Sequence, residues 1–587
     1  MSSVSLDLAY PFARLPFAAS AVIIGLLSAL YLAYQWALPK PLPGIPYNQD
    51  ALKTILGDAA ELQQIKKAGG RPRAWINLQT ARHNSPLVQA FLAPLSKPIL
   101  ILSDFRESQD ILLRRGKEFD RGPRHLENFS GVIPWHHICM STSNPPVQGE
   151  PRARQGSNDS SFPEHPYQVS GPEIYSNAQN FIELWKLKAQ LAGGRPFKAE
   201  DDLHTMTFDI IKVVALGEGD NQSMTVLYTD LVRSTVSKSQ DAPGALDEPF
   251  AFPENKPNVD LRAHIAQQEA VGAAATQPFP GLFHKINNRK SAMKEVYAAK
   301  FSMLDRQVSL GTKRMEAGAE VKSALDYMIQ RELASAKKAD RAPVFNSPSM
   351  YDELYGYIGA GHETSSTSLQ WGLKHLAADQ RVQNILRASL RAAYAEAVSE
   401  ERQPTFAEII KTQVPYLDAV VEEILRVSGP VRTLFRSATV DTTILGHHIP
   451  KGTQIFLPVT GPSFTAPAFP IEESLRSPSS QSHKKTMRGT WDESNAADFV
   501  PERWLQLGEH GGTHAFDSQA GPMLAFSLGI RGCFGRRLAY LQLRILMTLI
   551  VWNFEFGSLP EELNSFDAVD SLTTKPIKCF VRLAEAQ

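Results

Sequence analysis

Cysteine is scarce in this sequence. Only Cys139, Cys533 and Cys579 occur among 587 residues, and they lie far apart. Cysteines so few and so scattered exclude a framework of disulfide bonds and a zinc site of the Cys-x-x-Cys type. A reducing compartment fits this content best.

The sequence also lacks net charge, because its 61 basic residues balance 61 acidic ones. Without an excess of positive charge, nothing in the composition points to nucleic acid, and we expect no nucleic-acid partner. Hydrophobic residues make up 43% of the chain, which is enough to bury a large core.

Charged residues are absent from one long stretch near the N-terminus. Residues 17–38 are uncharged, mostly apolar and about as many as are needed to cross a bilayer. We interpret them as a transmembrane helix; a cleaved signal peptide is the alternative, but its apolar region is usually shorter and no clear cleavage site follows. The predicted organisation is a tail at 1–16, a transmembrane helix at 17–38, a proline-rich hinge at 39–48 and one large body at 49–587.

Helical patterns dominate the body. Apolar residues recur at helical spacing over 173–191, 201–216, 291–334, 351–379 and 414–430. Two stretches favour β-structure: an apolar run at 97–104 predicts a buried strand, and 442–459 predicts a hairpin. Three polar stretches interrupt the pattern: an anomalous segment at 141–172, which predicts loop or disorder, a loop-rich region at 241–280 and an insert at 470–490.

One cysteine lies in an unusual setting. Cys533 is surrounded by Gly529, Gly532 and Gly535 and is followed by a strongly helical pattern. The dipole and unpaired amides of a helix N-terminus favour a thiolate, and the glycines let a flat, bulky ligand approach. A thiolate here is a metal ligand or a nucleophile, although no histidine partner is close in the sequence. A packed structural cysteine is the simpler alternative.

The predicted helix at 351–379 is interrupted by glycine. Gly359 and Gly361 each cost such a helix about 1 kcal/mol relative to alanine, so something must approach the backbone closely at this point. A tight crossing of two helices is the alternative explanation.

The residues around Cys533 resemble the haem-binding loop of the cytochrome P450 family, Phe-x-x-Gly-x-Arg-x-Cys-x-Gly, at Phe526, Gly529, Arg531, Cys533 and Gly535. Three further motifs follow the family's order: residues 360–365 resemble its oxygen-activation segment, Glu423 and Arg426 its Glu-x-x-Arg pair, and residues 499–504 (FVPERW) its meander. The resemblance covers nearly the whole chain. It implies the cytochrome P450 fold, mainly α with small β-sheets, with one catalytic domain behind the N-terminal helix.

The resemblance also implies roles for individual residues. Cys533 would be the axial thiolate ligand of the iron in haem b, with Phe526 packed beside it in a loop shaped by Gly529 and Gly535. Arg436 and Arg531 would pair with the haem propionates. Glu363 and Thr364 would be the catalytic pair that holds water and relays protons.

The implied activity is that of a monooxygenase that inserts one atom of O2 into a lipophilic small molecule, in the style of fungal secondary metabolism. Electrons would come from NADPH through cytochrome P450 reductase, and the pocket would be formed by 126–133, Tyr357, 431–435 and 571–574. Two alternatives stay open: a haem-thiolate isomerase or dehydratase that needs no reductase, and a haem-defective binding or scaffold protein. The implied location is the endoplasmic reticulum membrane, with a single span and a cytoplasmic body. Basic residues near the cysteine loop that are candidates for meeting an acidic redox partner, or for a solvated helix face, are Arg536, Arg537 and Arg544.

The sequence departs from the family at one place. The family carries Trp-x-x-x-Arg on an early helix whose side chains reach the haem propionates, but Trp135 is followed four positions later by Cys139. Prolines at 145, 146 and 151 oppose a helix in the segment that follows. Either this edge of the haem site is remodelled, or a mistranslated or unspliced segment replaces the helix. A zinc site at His136 and His137, or at His447 and His448, is disfavoured because adjacent histidines rarely face one metal.

Overall fold

The structure is a computed structural model and describes residues 17–140, 166–217, 223–236, 245–483, 492–507 and 514–586. Helices make up most of it. The α-helices of these residues are α1 (Phe17–Ala37), α2 (Ala59–Lys67), α3 (Pro72–Arg82), α4 (Phe105–Leu113), α5 (Pro123–Ser130), α6 (Pro166–Ala192), α7 (Glu200–Leu216), α8 (Met224–Val236), α9 (Val259–Ala275), α10 (Pro280–Asn287), α11 (Ser291–Glu316), α12 (Ala324–Lys338), α13 (Pro348–Ala378), α14 (Gln380–Ala393), α15 (Ala395–Ser399), α16 (Phe406–Lys411), α17 (Pro415–Ser428), α18 (Pro478–Ser482) and α19 (Arg536–Asn553).

The strands form one larger sheet and several two-stranded ones. They are β1 (Leu87–Ala90), β2 (Ile99–Leu102), β3 (Phe119–Asp120), β4 (Phe197–Lys198), β5 (Thr433–Ala438), β6 (Thr442–Ile444), β7 (His447–Ile449), β8 (Gln454–Pro458), β9 (Leu505–Leu507), β10 (His514–Phe516), β11 (Phe554–Phe556), β12 (Ala568–Asp570), β13 (Thr574–Pro576), β14 (Phe580–Val581) and β15 (Leu583–Glu585). The larger sheet has the order β1-β2-β8-β5-β3, in which only β2 and β8 are parallel. The prediction of a mainly α fold with small sheets is confirmed.

The apolar N-terminal run forms helix α1, and large side chains such as Val22, Leu30 and Trp36 are exposed along it. Among the helices that the structure describes, none combines the length and the apolar character needed to cross a membrane. The prediction of a transmembrane helix at 17–38 is therefore not confirmed.

Helix α13 is the centre of the fold, and it packs against α7, α17 and α19. It begins where the Ser347 side chain accepts a hydrogen bond from the amide of Met350, with Pro348 as its first residue. Its glycine notch faces α7, since a Cβ on Gly361 would lie 2.4 Å from Ile211 Cδ1. For Gly361, the tight helix crossing is therefore the correct explanation.

Most predicted elements are present. The helices predicted at 173–191, 201–216, 351–379 and 414–430 correspond to α6, α7, α13 and α17, and the strand predicted at 97–104 is β2. The hairpin predicted at 442–459 is β6 with β7, whereas β8 joins the larger sheet. The predicted helix at 291–334 is two helices, because a capping box of Ser323 and Asp326 starts α12.

Two predicted loops are wrong in part. Helix α9 lies inside the region 241–280, and the side chains it buries include Asp260, His264, Gln267 and Gln268. Because a buried face with many polar residues shows little apolar periodicity, the sequence pattern does not predict this helix. Residues 166–172 of the anomalous segment begin α6, while 141–165 lie outside the described residues, as do 484–490 of the polar insert.

Candidate functional site

The cysteine loop is held in place from both ends. The amide of Cys533 donates a 2.8 Å hydrogen bond to the carbonyl of Phe526, which closes the loop. Gly529 has a φ of +69°, and a Cβ there would lie 2.1 Å from the carbonyl oxygen of Leu112. Only glycine meets both conditions, so this position fixes the loop against α4. Helix α19 begins three residues after the cysteine, at Arg536.

The Cys533 side chain is exposed, although the surrounding protein reduces the solvation of its sulfur. This loss of solvation raises the pKa of the Cys533 thiol, while the amides of Gly535 and Arg536 and the Arg536 charge act to lower it. The expected influence of the helix N-terminus is thus present, but loss of solvation outweighs it. A metal ion at the sulfur reverses this balance, since a coordinating thiol loses its proton.

Helix α13 passes near Cys533. Ala360 is exposed although it lies in the middle of this 31-residue helix, and Thr364, one turn later, is partly exposed. The Thr364 hydroxyl donates a 2.7 Å hydrogen bond to the carbonyl of Ala360. Burial, and secondarily the charge of Cys533, raises the pKa of the Tyr357 hydroxyl, which places the sulfur near this helix segment.

Glu363 faces a different direction from Thr364. Its carboxylate is 5% exposed and accepts a 2.8 Å hydrogen bond from the hydroxyl of Thr573, in the turn between β12 and β13. The other oxygen lies 3.9 Å from Nδ1 of His204, and this nitrogen lies 3.1 Å from Nε2 of His362. The structure therefore joins Glu363 to α7 and to the C-terminal hairpin, and leaves Thr364 on the exposed side.

The two predicted propionate ligands, Arg436 and Arg531, are buried and line one cavity. Arg436 Nη1 donates to the carbonyl of Phe435 at 2.8 Å. Arg531 Nε donates to Asp120 at 3.1 Å, and its Nη2 donates to the carbonyl of Met140 at 2.8 Å. Burial, and then the charge of Arg531, lowers the pKa of Arg436 to about 10, so the two guanidinium groups are close enough to repel.

Sequence reasoning missed two further residues at this edge, Arg121 and His125. Burial together with the charges of Arg531 and Arg436 lowers the pKa of Arg121 to about 9. Burial, followed by the charges of Arg121, Arg436 and Arg531, lowers the pKa of His125 to about 3, and its two buried ring nitrogens have no hydrogen-bond partner. The signal in the sequence was Asp-Arg-Gly-Pro-Arg-His at 120–125, a cluster of basic residues directly after strand β3.

These residues fit the haem that the resemblance implies. Cys533 and Ala360 are both exposed, and the sulfur lies near Tyr357 of the same helix as Ala360, as a ligand that reaches both elements requires. Arg121, Arg436 and Arg531 line one cavity together with His125, whose ring nitrogens have no hydrogen-bond partner, and carboxylates are the groups that such a donor set binds. Cys533 would ligate the iron, and Arg121, His125, Arg436 and Arg531 would hold the propionates.

The cavity beyond this edge has a volume of about 310 Å³. Residues from three of the four stretches expected to form the pocket line it, namely Asn128, Phe129, 431–435 and Leu572. Tyr357, the remaining expected position, is not among its lining residues. The structure thus brings three of the predicted stretches together around one cavity, and residues of α3 and α9 also line it.

The Glu-x-x-Arg pair and the meander form one buried network. Glu423 accepts two 2.8 Å hydrogen bonds from Arg426, one of 3.0 Å from Arg503 and one of 2.9 Å from the indole of Trp504. The side chains of Glu423 and Arg426 are almost completely buried. The expected packing of the meander arginine against this pair is therefore present.

The site of the missing Trp-x-x-x-Arg motif is described only in part. Trp135 is exposed, and its amide donates a 2.9 Å hydrogen bond to Asp352 of α13. Cys139 lies in a short 3-10 helix, with burial raising the pKa of its thiol to about 12. His136 and His137 both face Glu353, at 3.5 and 2.8 Å. The amide of Ile138 donates to His136 Nδ1, which leaves the ring proton on Nε2 and disfavours a metal there.

Comparisons with known proteins agree with this geometry. The family model described as Cytochrome P450 matches residues 85–463 and 490–581. Cytochrome P450 monooxygenase TRI13 of Fusarium sporotrichioides is 38% identical over 579 residues, which cover 95% of this chain and 97% of that protein. Cytochrome P450 monooxygenase GME11363 of Pestalotiopsis microspora is 34% identical, with 96% and 97% covered. A crystal structure of a cytochrome P450 (CYP102L1) has a TM-score of 0.63 at 16% identity and covers 94% of this chain and 99% of that one, a likeness that concerns the fold alone.

Proposed function

This chain belongs to the cytochrome P450 family of haem enzymes, and from that premise we propose that it inserts one atom of O2 into a lipophilic small molecule of fungal secondary metabolism. Electrons come from NADPH through a reductase. The observation that carries the proposal is that Cys533 is exposed in a glycine-rich loop near Tyr357 of α13, and that Ala360 is exposed one turn further along this helix. Two fungal monooxygenases that share more than a third of their residues with this chain over nearly its full length support it.

Haem, when bound, supplies the oxidising chemistry, and the protein supplies binding, orientation and proton handling. Cys533 would ligate the metal through its sulfur, and the carbonyl of Phe526 holds the Cys533 amide at 2.8 Å. Arg436 and Arg531 would hold the anionic edge of haem by charge-assisted hydrogen bonds.

Thr364 handles protons at the substrate side. Its hydroxyl hydrogen-bonds the carbonyl of Ala360, so the side chain already points along the exposed face of α13. Glu363 is the adjacent acid, and a proton passes between it and Thr364 through water or after the Thr573 hydrogen bond opens. This pairing of a carboxylate with a hydroxyl favours oxygen insertion over an isomerisation that consumes no protons.

The reductase binds the face that carries the start of α19. Arg536 and Arg537 are exposed there, next to the cysteine loop, and suit an acidic partner. Arg544 does not belong to this surface, because its guanidinium bonds Asp418 and the carbonyl of Ile409. Its role is to hold α16 and α17 against α19.

For the location, we propose the endoplasmic reticulum membrane with the catalytic domain in the cytoplasm. The exposed apolar side chains of α1 support this assignment, because water is a poor environment for so large an apolar surface. Fractionation of cells that express the full chain and a chain without residues 1–38 tests it: the full chain is expected with membranes, and equal distribution of both chains contradicts it.

Turnover under labelled oxygen tests the reaction. Haem-loaded protein is incubated with a fungal reductase, NADPH, 18O2 and a panel of lipophilic compounds, and products are examined by mass spectrometry. One 18O atom in the product, dependent on both NADPH and oxygen, is the expected result. Product formed without either of them assigns the chain to the isomerase or dehydratase class instead.

A further inference from the structure

Positive charge dominates the lining of the 310 Å³ cavity. Among the residues that the structure describes, no aspartate or glutamate lines it. The basic residues that line it are Lys66, Arg73, Arg121, Arg124, His125, Arg432, Arg436 and Arg531. Four of these, Arg121, His125, Arg436 and Arg531, are accounted for by the haem edge, and Arg124 is satisfied by backbone carbonyls at the end of α9.

Lys66, Arg73 and Arg432 remain; Lys66 is exposed and donates a 3.3 Å hydrogen bond to the Thr276 hydroxyl, whereas Arg73 and Arg432 are partly buried. Thr433, next to Arg432, donates a 3.2 Å hydrogen bond to Asn77, one helical turn after Arg73. Arg73 Nη1 donates to the carbonyl of Leu572 at 3.1 Å. Arg432 Nη1 donates to the carbonyl of Val427 at 3.0 Å, but its buried Nε has no hydrogen-bond partner.

Asp570 is the acid beside these arginines, and its oxygens are already committed. Oδ1 accepts from Arg71 at 3.5 Å and from the Thr574 hydroxyl at 3.0 Å, and Oδ2 accepts from the backbone amide of Arg73 at 3.2 Å. Burial is the largest influence that lowers the pKa of Arg73, and burial with the charge of Arg71 lowers the pKa of Arg432 to about 10. One carboxylate therefore faces three guanidinium groups, and two positive charges are left uncompensated.

Apolar side chains surround this charged end. Leu62, Ile76, Leu92 and Phe456 line the same cavity. A ligand that matches both the charged end and the apolar walls of the cavity has a lipophilic body and one anionic group. Guanidinium groups bind carboxylates in a two-pronged geometry, which makes a carboxylate the best match for Arg432 and Arg73.

We propose that the substrate of this enzyme is a lipophilic carboxylate whose acid group is held by Arg73 and Arg432. The inference deepens the proposed function, since it names the substrate class for that same site. The anchored acid group fixes one end of the molecule at α3 and leaves the lipophilic body against the apolar walls of the cavity. The oxidised carbon then lies away from the acid group.

Binding of simple probes tests the proposal without any turnover. Dodecanoate, dodecanol and methyl dodecanoate are titrated into the haem-loaded full chain by calorimetry, with the shift of the Soret band as a second readout. Dodecanoate is expected to bind at least about tenfold more tightly than either neutral probe, in line with a charge-assisted hydrogen bond. Its affinity falls as salt is raised, while that of dodecanol does not.

Variants separate the anchor from general packing. Arg432→Gln and Arg73→Gln are each expected to abolish the preference for dodecanoate and to leave dodecanol binding unchanged. Arg82→Gln is the matched control, because Arg82 lies on the same helix and is exposed outside the cavity. Equal affinity for all three probes, equal loss of all probes in the variants, or loss of the preference in the control overturns the proposal. Because binding is measured without NADPH or oxygen, failure of the proposed reaction leaves this result interpretable on its own.

Discussion

The hydroxyl of Thr573 donates a 2.8 Å hydrogen bond to the carboxylate of Glu363. This bond joins the C-terminal hairpin to the middle of α13, and Thr573 is completely buried. The neighbouring Leu572 lines the cavity, so the same turn contacts both the acid on α13 and the space for the substrate. The orientation of Glu363 therefore depends on a residue more than 200 positions away in the sequence.

Replacing Thr573 by valine keeps the shape of the side chain and removes the donor. Since a buried carboxylate loses its hydrogen bond, Thr573→Val is expected to lower the free energy of unfolding by about 1.5–3 kcal/mol. Thr573→Ser keeps the hydroxyl and is expected to stay within about 1 kcal/mol of the parent. Urea unfolding of the three proteins measures both values, and a valine variant as stable as the parent contradicts the assignment.

The buried network around Glu423 predicts a larger effect. Glu423→Gln leaves the charges of Arg426 and Arg503 without their carboxylate, which is expected to cost about 3–5 kcal/mol of stability and to reduce the fraction of haem-loaded protein. Glu400→Gln is the control, because Glu400 forms an exposed pair with Arg402 and should contribute no more than about 1 kcal/mol. Thermal unfolding followed by circular dichroism compares the two, and similar effects of both substitutions would argue against a network.

Arg121 is expected to bind the anionic edge of haem although no sequence motif identified it. Arg121→Gln should weaken haem binding at least about tenfold, as loss of a charge-assisted hydrogen bond implies. Haem dimethyl ester lacks the carboxylates and should bind the parent and the variant equally. Transfer of each ligand to apomyoglobin measures the affinity. Weakening of both ligands to the same degree would mean that Arg121 acts through folding.

Buried histidines make stability depend on pH. Burial lowers the pKa of His264 to about 4 and that of His375 to about 3, below their value of about 6.5 in an unfolded chain. As pH falls below about 6.5 the unfolded chain takes up protons first, so stability declines, by about 2 kcal/mol for each histidine at about pH 5. His375→Gln removes one of these groups and should lose correspondingly less stability between about pH 7 and about pH 5. Urea midpoints at the two pH values test this, and identical pH dependence of the two proteins is the contrary result.

The sequence was sufficient to predict the parts of the site that depend on motifs or periodicity within short stretches of the chain. The Cys533 loop depends on glycines at fixed spacing, and a pattern of this kind is visible without a structure. The Glu423 network is also predicted, because its two motifs resemble those of one family. The amphipathic helices α7, α13 and α17 follow from their periodicity.

What the sequence did not reveal comes from contacts between distant segments. His125 carries no motif, and it becomes significant only when folding places it beside Arg436 and Arg531 with both ring nitrogens unpartnered. The direction of Glu363 depends on Thr573, and α9 buries polar residues that interrupt the apolar pattern. Each of these features is a tertiary contact that overrides or adds to the local signal.

The central claim is that Cys533 binds the iron of haem as a thiolate, and one spectrum tests it most directly. The haem-loaded full chain is reduced, exposed to carbon monoxide and compared with the Cys533→Ser, Cys139→Ser and Cys579→Ser variants. The parent and the latter two variants should give the red-shifted Soret band of a thiolate-ligated carbonyl complex, and Cys533→Ser should not. A well-folded parent without this band, or a Cys533→Ser variant that retains it, would contradict the account.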